Sequence, residues 1–391
     1  MARRRRWGLG AGLAAPLLPL ALALLLLAAR DATEARSINH VHDLSSELYS
    51  EIRELMQRAL HQRDEAVPCL AELGAAPAPA HPRLVPSWPL HGPPPLGQVA
   101  GVAVALNGFP VVFHRGARVF DSKSFNDSHH FQFVDEGPIP EDTVLTLDPD
   151  NGDVLTGWGR DLFFMPHSIT IDNRGNTWLT DVALHQVFKF APGSTKPNLT
   201  LGQEFTPGPG KHQLCMPTDV AVASTGEVFV ADGYCNARVL KFDPSGVLLR
   251  LYPQGNDLQL QVPHSVALLE RLDMVCVADR ENMRVVCPSA ELRAQPAPGP
   301  PATVKAEDLG RVFAIAAYGD YLYAVNGYTA DNIRVGGFTL DPASESLIDR
   351  WGPPQGMSNP HSVAVSPDGS ALYVAEIGPN RVWKFNLPQA L

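Results

Sequence analysis

Three Pro-His-Ser steps, in "MPHSITI", "VPHSVAL" and "NPHSVAV", place His167, His264 and His361 at the heads of β-rich segments. Other copies of the segment write that position differently, with Ala100 in "VAGVAV", Thr218 in "PTDVAV" and Phe313 in "VFAIAA". Histidine therefore occupies the second, fourth and sixth of six copies. In a closed six-fold ring this alternation sets three imidazoles about 120° apart, facing a central channel. Three neutral imidazoles with a fourth position open are the ligand set of a catalytic zinc site. The plainer alternative is that Pro-His packs the start of an inner strand. Thr218 and Phe313 show that the repeat does without histidine there.

A second group of residues belongs to the same end of the ring. The first strand of each copy leaves the histidine end and the second returns to it, so the following loop lies on the imidazole face. Those loops include "FHRGARV", "ADGYCNARV" and "ADRENMRV", which carry Arg115, Tyr234 and Arg280. Cys235 adjoins Tyr234, and Cys276 and Cys287 flank Arg280. Four cysteines allow three connectivities; the local one pairs Cys215 with Cys235 and Cys276 with Cys287. Disulfides at these loops would preorganise a site. A zinc ion polarises an oxygen as a Lewis acid, and arginine grips a carboxylate bidentately. Tyrosine serves as a base when a neighbouring cation lowers its pKa. The set suits a small anionic substrate.

The elements that must position these groups are short β-branched runs between tight turns such as "LNGF", "NRGN", "STGE" and "PDGS". "DPDNGD" resembles the start of a calcium loop, but Asp153 fills the glycine position and no glutamate closes it, so it reads as a hairpin. Copies begin at Val99, Pro166, Pro217, Pro263, Val312 and Pro360, a period of about 45 to 50 residues that is longer in the first copy. The spacing predicts an all-β fold, a six-bladed β-propeller of NHL-like repeats over residues 97–391.

Upstream, residues 1–35 read as a signal peptide or signal anchor, with Arg3 to Arg6 before an apolar run. Residues 36–66 carry Leu44, Leu48, Ile52, Leu55, Met56 and Leu60 at helical spacing, predicting a short amphipathic helix. Residues 67–96 are proline-rich and predict a linker without regular structure. The formal charge of −10 over 391 residues argues against a nucleic-acid surface. Secretory entry favours disulfides and glycosylation at the Asn126 and Asn198 sequons. Cys69 is left over. The expected location is the secretory lumen or outside the cell, with membrane attachment only if the first segment stays uncleaved.

From about Leu96 onward the chain resembles the peptidyl-α-hydroxyglycine α-amidating lyase, the second catalytic unit of peptide-amidating enzymes. "GQVAGVA", "FHRG", "TDVALHQVFK", "CMPTDVAV", "DGYCN", "VPHS", "VCVADREN" and "VWKF" carry the resemblance. It implies cleavage of a peptidyl-α-hydroxyglycine to a peptide amide and glyoxylate, without hydrolysis. It also implies zinc on His167, His264 and His361, Tyr234 as the base with Arg115 beside it, and Arg280 on the substrate carboxylate. The disulfides Cys215–Cys235 and Cys276–Cys287 follow from it as well. The family's structural calcium would use main-chain carbonyls of Val102 and Ile169 with an aspartate. Here the family's Met-Pro-His-Asp is replaced by Asn359, Pro360, His361 and Ser362. The residues before Leu96 leave no room for a copper monooxygenase, so a separate enzyme is expected to supply the hydroxyglycine peptide. Two other readings are a non-catalytic propeller binding module with a structural metal, and a calcium-dependent lactonase or esterase. The latter sets acidic and amide ligands on the axis, where this chain has histidine.

Overall fold

The computed structural model describes residues 79–388 apart from 93, 253–257, 295–298 and 330–331, all within the compact unit Ala76–Leu391. The signal segment, the amphipathic helix and Cys69 lie outside the described residues, as does the first part of the linker.

Alternating apolar runs broken by turn residues fold into antiparallel hairpins, and the hairpins assemble into six four-stranded sheets. These are the blades of a six-bladed β-propeller. Their first strands are Val99–Val104, Pro166–Ile171, Asp219–Val222, Pro263–Leu269, Arg311–Tyr318 and Pro360–Val365, matching the six copies read from the sequence. "DPDNGD" is a hairpin turn between Val144–Leu147 and Val154–Trp158, with the Asp148 carboxylate accepting the amides of Asp150 and Asn151. No α-helix occurs among the described residues, and no helix there is long and apolar enough to cross a membrane.

Each seam between neighbouring blades holds its own apolar core, six in all among the described residues. The seam of blades four and five, for example, packs Cys276, Val285 and Cys287 against Leu322, Ala324 and Leu340. A strand buried on both faces cannot alternate polar and apolar residues, hence runs such as "VFVAD" and "MVCVAD".

The linker reading fails within residues 79–96. Arg83–Leu84 is a strand that pairs with Phe385 and Asn386, giving the last blade its fourth strand. Trp88 is 5% exposed and meets Tyr373 edge-on at 5.6 Å. The cause is ring closure: blade six ends after three strands (Pro360–Val365, Ala371–Glu376 and Arg381–Asn386), and the open edge recruits the segment ahead of blade one. Proline is tolerated because this strand is outermost.

In five of the six blades the ladder between first and second strands slips by one residue near its start, between Val99 and Gly101, Pro166 and Ser168, Pro263 and Ser265, Val312 and Ala314, and Pro360 and Ser362. The extra residue is Ala100, His167, His264, Phe313 or His361. A bulge leaves one residue unpaired and re-aims its side chain. The ladder is broken where the site is built.

Candidate active site

The bulged positions converge on the propeller axis. Ring centroids of His167, His264 and His361 form a near-equilateral triangle with sides of 4.9, 4.7 and 4.9 Å. One ring nitrogen from each lies within 4.8 Å of the other two, and all three side chains are buried. Every Nδ1 donates to a main-chain carbonyl on the next blade: His167 to Thr218 at 2.6 Å, His264 to Phe313 at 2.7 Å and His361 to Ala100 at 2.6 Å. The acceptors sit at the histidine position of the three blades without histidine. With Nδ1 protonated, each Nε2 keeps its lone pair for the channel, the tautomer that binds a metal. Desolvation pushes the imidazoles of His167 and His264 well below their usual pKa and His361 down to about 3, with the Arg280 charge acting in the same direction on all three and Arg115 on His167 and His361. Neutral imidazole is the ligating form.

Tyr234 lies over this triangle. Its phenol oxygen is 3.1 Å from Nε2 of His167 and 3.2 Å from Nε2 of His264. The phenol has one proton, so it satisfies one of these acceptors and leaves the others without a donor. An electron-rich, buried set of three Nε2 atoms fits a cation, and nitrogen ligands in threes fit zinc. The disulfide Cys215–Cys235 ties down the Tyr234 loop. Cys276–Cys287 bridges the second and third strands of blade four, directly before and after the Arg280 loop. Both local pairings expected from the sequence are formed.

Arg115 is 2% exposed, its Nε donating to the Pro166 carbonyl at 2.9 Å and Nη1 to Gln98 Oε1 at 2.7 Å. Burial pushes this guanidinium down to about 10, opposed by Tyr234 and Asp181, so it stays charged at neutral pH. Arg280 lies over Tyr234, its guanidinium 5.4 Å from the phenol ring and 4.9 Å from the Phe313 ring, while Nε bonds Glu281 at 2.8 Å. The sequence-derived residues Arg115, Tyr234, Arg280 and the three histidines thus come together at one mouth.

Two groups of positioning residues escaped the sequence reading. The first is a buried acid closing the second strand of blades two, three, four and six: Asp181, Asp232, Asp279 and Glu376. Each accepts main-chain amides from the segment entering its own blade. Asp181 takes Phe164 and Met165, Asp232 takes Cys215, Asp279 takes Gln261, and Glu376 takes Ser358 and Asn359. In three blades that segment leads straight into Pro-His. The signal was the acid recurring at the head of "TDVALHQV", "ADGYCNARV", "ADRENMRV" and "AEIGPNRV".

The second is Asp219, buried in the copy that writes Thr-Asp where blades two, four and six write His-Ser. Its Oδ1 accepts Ser168 Oγ at 2.5 Å and the Val220 amide at 2.8 Å; its Oδ2 accepts Ser265 Oγ at 2.7 Å and the Val266 amide at 3.0 Å. Desolvation pushes its pKa up, an effect these four donors offset in part. Ser168 and Ser265 follow His167 and His264, so one carboxylate spans blades two, three and four beneath two of the three imidazoles. Across the ring, Ser362 Oγ instead accepts the Val102 amide at 3.1 Å. Val102 and Ile169 line the same channel, of about 270 Å³. With a hydroxyl in place of a carboxylate at 362 and Asp219 committed to four donors, the residues do not fit a calcium ion. The sequon residues Asn126 and Asn198 are both exposed.

An NHL repeat model matches residues 214–242, the first three strands of blade three with Thr218 just before them and Tyr234 in the loop between the second and third. Peptidyl-alpha-hydroxyglycine alpha-amidating lyase 2 of Drosophila melanogaster is 48% identical over 373 residues, covering 88% of this chain and 91% of the fly protein. Peptidylglycine alpha-amidating monooxygenase of Rattus norvegicus is 42% identical over 75% of this chain, which spans 31% of the rat protein's length. A gluconolactonase structure from Xanthomonas campestris superposes with a TM-score of 0.50 over 81% of this chain and 99% of its own, but at 14% identity this likeness concerns the fold alone. On the identity and mutual coverage with the fly lyase, the chain belongs to the peptidyl-alpha-hydroxyglycine alpha-amidating lyase family.

Proposed function

We propose that this protein is a zinc-dependent lyase that splits a peptidyl-α-hydroxyglycine into a C-terminally amidated peptide and glyoxylate. The observation that carries the reading is the convergence of three lone-pair-bearing Nε2 atoms with one phenol oxygen in a buried mouth. His167, His264 and His361 would hold zinc, which supplies a Lewis acid for a substrate oxygen. Calcium has no role in this reading.

Tyr234, beside the Arg115 charge, is the base that takes the proton from the substrate hydroxyl. The freed electron pair closes the aldehyde C=O of glyoxylate, and the C–N bond breaks with its pair on the amide nitrogen. That nitrogen takes up the proton, which the phenol returns. Substrate and products balance without water. Arg280 orients the substrate carboxylate, and its partner Glu281 keeps its charge local before substrate arrives. The hydroxyglycine peptide comes from a separate copper monooxygenase in the secretory lumen, where Asn126 and Asn198 are open to glycosylation.

The test is incubation of the purified, zinc-loaded chain with an N-acyl-α-hydroxyglycine. Equimolar amide and glyoxylate are expected. Tight zinc binding with no glyoxylate would instead make the propeller a binding module with a structural metal.

A further inference from the structure

The mouth loop of blade one differs from the other five. It runs over 115–143, whereas the others span 182–185, 233–237, 280–283, 328–336 and 377–380. Its phenylalanines, Phe120, Phe125, Phe131 and Phe133, form an aromatic cluster separate from the six seam cores, with Met165, Met216 and Tyr234 packed into it. Phe120 is the member that reaches the site. Its ring stacks on Tyr234 with centroids 5.9 Å apart and planes at 27°. Behind it stands the Arg115 guanidinium, 5.2 Å from the Phe120 centroid. Gln98 Oε1 accepts both Arg115 Nη1 at 2.7 Å and the Phe120 amide at 2.9 Å, so one side chain locks the two together.

The Arg280 guanidinium also lies over the Tyr234 ring, and over Phe313, itself flanked by Arg311 at 5.9 Å. The result is a continuous row of Arg115, Phe120, Tyr234, Arg280, Phe313 and Arg311. Stacked and cation–π contacts of this kind favour particular ring orientations. They constrain tilt of the phenol out of its plane, and the position of its oxygen over two imidazoles depends on that tilt.

We propose that Phe120 is a positioning residue for Tyr234, holding the phenol plane so that its oxygen stays over His167 and His264. The proposal rests on the reading of Tyr234 as the proton acceptor, yet the stack itself can be read without turnover. Phe120 belongs to the mouth cluster and to none of the six seam cores, so its substitution should leave the metal ligands and blade packing in place.

Two measurements on the full chain test it, using Phe120→Leu and Phe120→Trp. The first is nitration of Tyr234 by tetranitromethane, mapped by mass spectrometry. Phe120→Leu should be nitrated several-fold faster than the parent, because one ring face is uncovered, and Phe120→Trp should return to the parent rate. The second is glyoxylate release with zinc content measured in parallel. Phe120→Leu should lower kcat about tenfold with KM within about twofold and zinc unchanged, and Phe120→Trp should recover to within a few-fold. A geometric loss of that size accords with the sensitivity of a positioned group to small displacements. Unchanged nitration in Phe120→Leu would overturn the proposal, whatever the activity. So would an equal loss of kcat in both variants, which would mean a fold defect, or a rise in KM alone, which would make Phe120 a substrate contact. A parent that releases no glyoxylate but shows the nitration pattern refutes the functional reading and keeps the stack.

Discussion

The three blades with histidine and the three without divide the work of this site. Blades two, four and six present His167, His264 and His361, while blades three, five and one present the carbonyls of Thr218, Phe313 and Ala100 that fix them. The histidine-free blades also bring Tyr234, Arg115 and Phe120, with Arg280 on blade four as the exception. One bulge geometry thus serves two ends: in blades two, four and six it aims an imidazole inward, and in blades one and five it leaves a carbonyl to accept an imidazole N–H. Thr218 fills that role in blade three without a bulge. The acceptors are main chain, so the fixing does not depend on which side chain stands there. The alternation sets how many imidazoles enter the channel, and the carbonyls hold those three in one tautomer.

The largest expected effect follows from removing the histidine side of this division. His167→Ala, His264→Ala and His361→Ala should each lose bound zinc and glyoxylate release together, measured by elemental analysis and product assay. Full zinc retention in all three would refute the ligand assignment. The matching change on the other side, Thr218→Ala, keeps the carbonyl and should keep the zinc, since the acceptor is main chain. Loss of the Thr218 hydroxyl bonds to Ala231 and Pro263 should cost about 1 kcal/mol of stability by denaturant titration.

Next in size is Tyr234→Phe. It removes the proton acceptor but leaves ring stacking, disulfide and imidazoles intact, so kcat should fall by ~10²–10⁴-fold with zinc content unchanged. Arg115→Lys retains a positive charge and should lose less. Arg280→Ala should raise KM, because its proposed role is to grip the carboxylate. A Tyr234→Phe enzyme within a few-fold of the parent would rule out the phenol as base.

Much of this was legible in the sequence because a propeller writes each blade locally. The six strand starts, the alternation of histidine and both disulfides are short-range patterns in a repeating register. What the repeat does not carry was not legible. Arg83–Leu84 pairs with residues some three hundred positions away, and a proline-rich segment has no local reason to be a strand. Phe120 sits in a loop outside the period, so no neighbouring copy marks its position. Asp219 is an intermediate case: "PTDVAV" was seen as the copy lacking histidine, but its aspartate has meaning only once Ser168 and Ser265 are placed on either side of it.

That carboxylate offers a smaller test of how the blades cooperate. Asp219→Asn keeps one accepting oxygen but turns an N–H toward amides or hydroxyls that need acceptors. A buried donor left without its acceptor costs about 1–3 kcal/mol, read as a lower denaturation midpoint. If the carboxylate spaces His167 from His264, zinc affinity should also fall, by about 10–100-fold as for other residues that orient ligands. Loss of stability with unchanged zinc affinity would make Asp219 a brace for the blades and nothing more.

The smallest effect concerns the opposite seam, where blade six meets blade one. There Ser362 offers a single hydroxyl to the Val102 amide, and no carboxylate stands where blade three has Asp219. A hydroxyl cannot balance the charge of calcium, whose sites draw on carboxylates and carbonyls. The parent should therefore melt at the same temperature with or without calcium. Ser362→Asp restores a carboxylate beside the Val102 and Ile169 strands, and calcium bound only by the folded state stabilises it by about 1.4 kcal/mol for each tenfold excess over Kd. For a domain of this size that corresponds to a rise in Tm of about 1.5 °C per kcal/mol. A parent that is itself stabilised by calcium would show that carbonyls suffice and that Ser362 is no obstacle. A variant that ignores calcium would show that this seam is closed to a cation by its backbone and not by the missing charge.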